Sequence, residues 1–232
     1  MVILKGGKTD EGAKAAASHT GAMAGSHKIW SAVMKQLRFI DVETFEQMMD
    51  VLMLATSYRM PTGHRVGFLG AGGGTSVLFT DLAYGHGLTL PELDRKTQDG
   101  ISKMIRNVNT STLNPVDLGT HGFDFNVMTH TMKEMDSDPN IDVIIPYFSI
   151  DFISTFQPDQ IESGPHIIAR AARDIVKPVI PIFSRFTEDS IQIEEARIRI
   201  CGIFKDAGLA VFNNIQDCIF SLRELLNWSE NG

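Results

Sequence analysis

From Arg65 onward, short apolar runs alternate with helix-forming stretches, and that alternation restricts the chain to a sheet layered between helices. The runs are Arg65-Val66-Gly67-Phe68-Leu69, Asp142-Val143-Ile144-Ile145-Pro146-Tyr147, Pro178-Val179-Ile180-Pro181-Ile182 and Leu209-Ala210-Val211-Phe212. None alternates apolar with polar residues, so each strand is apolar on both faces. Strands of that kind belong to parallel sheets whose crossover helices cover both sides. The spacing predicts those helices over 75–84, 93–105, 158–175, 188–207 and 217–228.

The segment before Pro61 has the same grammar in shorter form. Val2-Ile3-Leu4 reads as a strand, Gly6-Gly7-Lys8 as a loop, and 9–17 as an alanine-rich helix with Asp10 and Glu11 in an early turn. Ser26 sits where an N-cap belongs, before a helix with Ile29, Trp30, Val33, Met34 and Leu37 on one side. Phe39-Ile40 makes a short strand. A methionine-rich helix over 44–58 turns Phe45, Met48, Met49, Leu52 and Met53 inward as core filling. Pro61-Thr62-Gly63 marks a boundary. Too few strands precede it for a sheet of their own, so 1–61 reads as the C-terminal part of a similar domain and 62–232 as a complete one. The abrupt first strand suggests a chain that starts inside a domain.

Composition narrows the function. The 232 residues are 43% apolar and 21% charged, enough for a substantial core and too little charge for wholesale disorder. A formal charge of -7 without a dense Lys/Arg cluster argues against nucleic acid as a partner. No stretch is long and apolar enough to span a membrane, and three apolar residues after Met1 are too few for a signal peptide. Cys201 and Cys218 lack a CxxC spacing, so the plain reading is a reduced, cytoplasmic chain with unpaired thiols.

Three segments can carry chemistry. In Gly70-Ala71-Gly72-Gly73-Gly74-Thr75-Ser76, the glycines Gly72, Gly73 and Gly74 expose backbone amides, and Thr75 and Ser76 supply hydroxyls where a helix begins. A helix start carries unpaired donors and partial positive charge, which suits phosphate or carboxylate. A merely tight turn is the competing reading. The loop is not a Walker A motif, because no Lys follows Gly74. Asn114-Pro115-Val116-Asp117 lies in a long polar connection, 107–122, where Asn114 and Asp117 are placed either to hydrogen-bond a substrate or to form a Pro-fixed Asx turn. His19 stands between small residues, Ala15 to Ser18 before it and Thr20, Gly21 and Ala22 after it. A neutral imidazole is a nucleophile near neutral pH, and small flanks leave it room to swing between reaction centres. The bland alternative makes Ser18 or Thr20 a helix cap and His19 a surface residue.

The remaining polar groups say less. His27, His64, His86, His121, His130 and His166 show no metal-ligand pairing such as HExxH, so no metal site is expected. Glu188, Asp189, Glu194 and Glu195 share a predicted helix with Arg197 and Arg199, the pattern of a solvated face.

Together these pieces resemble the NDP-forming acyl-CoA synthetases, the superfamily that includes succinyl-CoA synthetase. Leu4 to Lys8, Glu11-Gly12-Ala13 and Ala15 to Gly25 resemble its phosphohistidine segment. Arg65 to Ser76, Leu90-Pro91-Glu92-Leu93 and Asn114 to Leu118 resemble its following domain. The resemblance implies a flavodoxin-like α/β fold and an acid–thiol ligase that makes or uses an acyl phosphate. By resemblance His19 is the phosphorylated nucleophile, Ser18, Thr20 and Gly21 belong to its loop, and Gly72 to Ser76 with Asn114 and Asp117 hold phosphate or the acyl carboxylate. CoA, ATP/ADP or GTP/GDP, Mg and a small carboxylic acid are then substrates of the full assembly, and transient phosphate on His19 is the one covalent group.

The family's CoA-binding and ATP-grasp domains do not match any part of this sequence. Nor do its second phosphate-binding helix and the glutamate that orients its histidine. The resemblance therefore implies partner chains or further segments, in a homo- or hetero-oligomer. The chain reads as a split subunit, a truncated frame or a deliberately cut piece. A non-catalytic module that senses ligands or docks a partner is the alternative from another class. A flavodoxin-like small-ligand binder ranks behind both, because no flavin-stacking aromatics flank Gly72.

Overall fold

The computed structural model describes residues 1–20, 26–106, 108–187 and 189–230. Its elements in chain order are β1 (Val2–Leu4), α1 (Asp10–Thr20), α2 (His27–Leu37), β2 (Ile40–Val42), α3 (Phe45–Ala55), β3 (Val66–Gly70), α4 (Gly73–Gly85) and α5 (Arg95–Ser102). Then follow β4 (Val116–Asp117), α6 (Phe125–Asp136), β5 (Val143–Ser149), α7 (Ile150–Phe156), α8 (Ser163–Asp174), β6 (Ile182–Ser184), α9 (Ile191–Asp206) and α10 (Ile215–Glu230). The main sheet has the order β4-β3-β5-β6, parallel throughout, and Phe212 adds a fifth position by a parallel bridge to Ile182. Counted from β3, the order is that of a flavodoxin-like doubly wound sheet, whose winding reverses between β3 and β5.

Every residue of β3 and β5 is buried, as their unbroken apolar runs require. The two-residue period sorts them between two cores. Val66, Phe68, Val143, Ile145 and Tyr147 pack with Val51 of α3, Phe79 of α4 and Leu222 of α10. Leu69, Ile144 and Phe148 pack with Met132 of α6, Ile168 of α8 and Ile200 of α9. Each fully buried side chain of this size contributes about 1.5–3 kcal/mol, so helices on both faces are the condition for the sheet to exist. The first of these cores crosses Pro61 without a break: Ile40, Val42, Val51 and Leu54 belong to it together with Val66 and Leu226. β1 and β2 form a separate parallel pair, Val2 opposite Ile40.

The structure departs from the sequence reading at several elements. In α3, Val51 and Leu54 are buried, whereas Phe45 and Met49 are 73% and 65% exposed and Leu52 is also exposed. Gln47 and Asp50 stand one turn before the buried Val51 and Leu54, while the exposed side carries Phe45, Met49 and Leu52, so packing against α10 and not the hydrophobic period chooses the face. Its start is well defined, with Thr44 accepting from Gln47 N–H and Gln47 reaching back to Glu43 N–H. In α2, Met34 is buried but Ile29 and Leu37 are exposed, and Ser26 makes no side-chain cap bond. The connection after α5 holds a strand, β4, and a 3-10 turn at Gly119–Phe123. Helices α6 and α7 have no counterpart in the reading, and α8 starts at Ser163, after a separate turn at Pro158–Gln160. The predicted start at Glu188 lies outside the described residues; α9 begins at Ile191, capped by Ser190.

Candidate functional site

The site is built where β3 runs into α4. Gly72 has φ +108°, a conformation that L side chains rarely adopt, and this turn sends the chain directly into the helix. The first-turn amides of Gly73, Gly74 and Thr75 have no carbonyl one turn earlier to bond, and together they form the positive end of the α4 dipole. They lie at the C-terminal edge of the sheet beside the β3/β5 reversal, where open parallel sheets bind ligands. A Cβ on Gly74 would meet nothing within 4 Å. The protein itself therefore gives no steric reason for glycine at that position. Ser76 is turned the other way: it is buried, and its hydroxyl bonds Gly72 O at 3.4 Å.

Asn114 and Asp117 hold this loop from the neighbouring strand. Two-residue β4 pairs with β3 at Leu69 and Gly70 and, through Asp117, with Ser111 on its other side, and the Asn114 side chain continues the β3 ladder like one more peptide group. Its Oδ1 accepts from Phe68 N–H at 3.1 Å, while Nδ2 donates to Val66 O at 2.7 Å and Pro91 O at 2.9 Å. Both amide protons are thereby used. Asp117 Oδ1 accepts from Gly72 N–H at 3.0 Å and Gly119 N–H at 2.9 Å, tying the β3–α4 and β4 loops together.

Sequence reasoning missed the hydroxyls under the loop. Tyr147, near the end of β5, bonds Ser184 Oγ at 2.5 Å and also interacts with the Thr75 side chain. Burial raises the Tyr147 pKa above the ordinary phenol value, against the opposing hydrogen bonds of Ser184 and Thr75, so the group stays a neutral donor. A polar-tipped residue in an otherwise apolar strand was the available signal. Thr75, Tyr147, Ser149, Phe123 and Phe152 line a small cavity of about 20 Å³, space for a single water. Size does not mark the site: a larger cleft of about 480 Å³, lined by Lys35, Arg38 and Trp228, lies between α2, β2 and α10.

His19 stands apart from this cluster. It is exposed in the last turn of α1, which continues to Thr20 instead of ending at Ala17. Ser18 Oγ bonds Ala15 O at 2.8 Å, so Ser18 lies within the helix and does not cap a start. Gly21 lies outside the described residues. Thr9 Oγ1 caps α1 at Gly12 N–H, and Lys8 anchors its approach through Asp41 at 3.1 Å. Among the described residues no hydrogen bond or ion pair joins His19 to the Gly72–Ser76 loop. No cluster of three or more His, Cys, Asp or Glu among them is placed to hold a metal. Cys201 and Cys218 are both free, and no described helix is long and apolar enough to cross a membrane.

A doubly wound parallel sheet with a glycine-started helix at its switch point is the frame of succinyl-CoA ligase-type domains. Residues 1–55 match the model of the succinyl-CoA ligase like flavodoxin domain. The chain is 32% identical over 187 residues to the alpha subunit of an ADP-forming acetate–CoA ligase II from Pyrococcus furiosus, covering 79% of this chain and 39% of that subunit. It is 30% identical over 148 residues to an ADP-forming 4-hydroxybutyrate–CoA ligase from Nitrosopumilus maritimus, covering 62% of this chain and 20% of that enzyme. A solved dinucleotide forming acetyl-coenzyme A synthetase 1 from Candidatus Korarchaeum cryptofilum, in complex with phosphate and ADP, shares the fold. Its TM-score is 0.76 at 22% identity, over 99% of this chain and 47% of that one. These matches make the chain a relative of the NDP-forming acyl-CoA synthetases over most of its own length. It spans less than half the length of each of these relatives.

Proposed function

We propose that this chain supplies the phosphoryl-relay portion of an ADP- or GDP-forming acyl-CoA synthetase. Phosphate displaces CoA from the acyl-CoA thioester, giving an acyl phosphate and the free thiol. A ring nitrogen of His19 attacks phosphorus and releases the carboxylate. The phosphohistidine then passes its phosphoryl group to the nucleoside diphosphate. The amides of Gly73 and Gly74, with Thr75, hold phosphate or the acyl carboxylate between steps, where positioning and charge stabilisation carry most of the catalysis. Asn114 and Asp117 serve by fixing the loop, and Ser18, Thr20 and Gly21 by carrying His19.

The reading rests on one observation above all. Gly74 leaves open space at the positive start of a helix, at the ligand-binding edge of the sheet, with nothing inside the protein to require it. Residues 1–61 are then the C-terminal part of a phosphohistidine domain and 62–232 a complete flavodoxin-like domain. CoA-binding and ATP-grasp domains, on other chains or segments of a cytoplasmic assembly, bring CoA and the Mg-bound nucleotide. The test is incubation with γ-labelled ATP and candidate partner subunits. Acid-labile, base-stable label should appear on the wild-type chain and vanish in His19→Ala. Absence of label with every partner combination would sink the relay.

A further inference from the structure

Asp117 places a carboxylate at the point where a ligand on the α4 start would begin. Oδ1 takes the Gly72 amide at 3.0 Å, and Oδ2 stands 3.2 Å from where a Cβ on Gly73 would sit. Among the described residues no lysine or arginine pairs with Asp117, whose carboxylate accepts from the backbone amides of Gly72 and Gly119. Amides orient a carboxylate without cancelling its charge. A phosphate dianion drawn to the Gly73 and Gly74 amides thus meets a fractional positive charge from the helix and a full negative charge from Asp117. At separations of roughly 4–6 Å the full charge is the larger influence.

We propose that Asp117 is a resident counter-anion, a positioning residue that fixes the loop and also holds phosphate affinity down so that the phosphoryl group can leave. This inference rests on the relay reading above. A relay site that bound phosphate tightly would be an energetic trap, because ground-state binding of that kind slows the next transfer.

The test is titration of the full chain with inorganic phosphate, sulfate and methanesulfonate, read at the Gly73 and Gly74 backbone amide shifts. Asp117→Asn keeps an oxygen for the Gly72 and Gly119 amides but removes the charge. It should bind phosphate and sulfate about tenfold tighter, and the monoanion only about threefold tighter, since the repulsion scales with ligand charge. A purely structural staple would leave Asp117→Asn at wild-type affinity for all three, which would overturn the inference while leaving the relay site standing. If that variant does not fold, the wild-type chain decides. There sulfate should bind no tighter than methanesulfonate, and a preference for sulfate of about tenfold or more overturns the counter-anion. If no anion moves either amide in the wild-type or the Asn variant, the phosphate site and the inference fall together.

Discussion

Two adjacent glycines in the first turn of α4 are glycine for different reasons. A side chain at Gly73 would press on Asp117, whereas one at Gly74 would point into open space. Gly74→Ala should therefore raise stability by about 0.5–1 kcal/mol, the ordinary gain in a helix. Gly74→Val should keep the fold and weaken phosphate binding at least tenfold by filling the approach. Thermal melting and phosphate titration check both; tight phosphate binding by the Val variant would exclude this face as the site. Gly73→Val is a poorer probe, because it displaces Asp117 as well. The residue types at the site were legible in the sequence: the glycine run and the Asn114 and Asp117 pair both stood out. Their partners were not, because Asn114 bonds β3 and the Pro91 carbonyl, and Asp117 bonds Gly72, across dozens of residues.

At the scale of elements, α3 and α10 meet over buried apolar residues, with Asp50 at the edge of the contact. Burial first, and then the charges of Asp217 and Glu46, push the Asp50 carboxyl up to about 6. In the unfolded chain the same group titrates near its ordinary value, about 3.9. Between those values the native state holds a proton that the unfolded state has lost, so stability falls as pH rises from about 4 to about 6. Asp50 is half exposed, and solvent screening limits the loss to about 1 kcal/mol. Asp50→Asn should match the wild type in denaturant melts at pH 4 and exceed it by about that amount at pH 7; a constant difference across the range would contradict the assignment. The element reading worked where burial imposed composition, as in β3 and β5. It failed at β4, where a side-chain amide does part of a strand's work, and at α3, where packing against α10 buries Val51 and Leu54 and leaves the more apolar side with Phe45 and Met49 exposed.

For the whole molecule, the core shared across Pro61 couples 1–61 to 62–232 where α3 touches α10. Pattern reading divided the chain there because Pro61-Thr62-Gly63 is a strong punctuation, and punctuation carries no information about packing across it. Hydrogen exchange should show the consequence. Amides of β3, β5, α3 and α10 should share the slowest class, while α1 exchanges far faster, since no residue from Asp10 to His19 is buried. Equal protection in α1 and α3 would contradict this. That bare helix also has a geometric consequence. An isolated helix of this length is marginal in water, so unwinding it re-exposes no core. From Asp10 to His19 the helical span is about 15 Å, and the extended span about 35 Å. In the relay we propose, unwinding α1 would lengthen the reach of His19 while the rest of the molecule stays still.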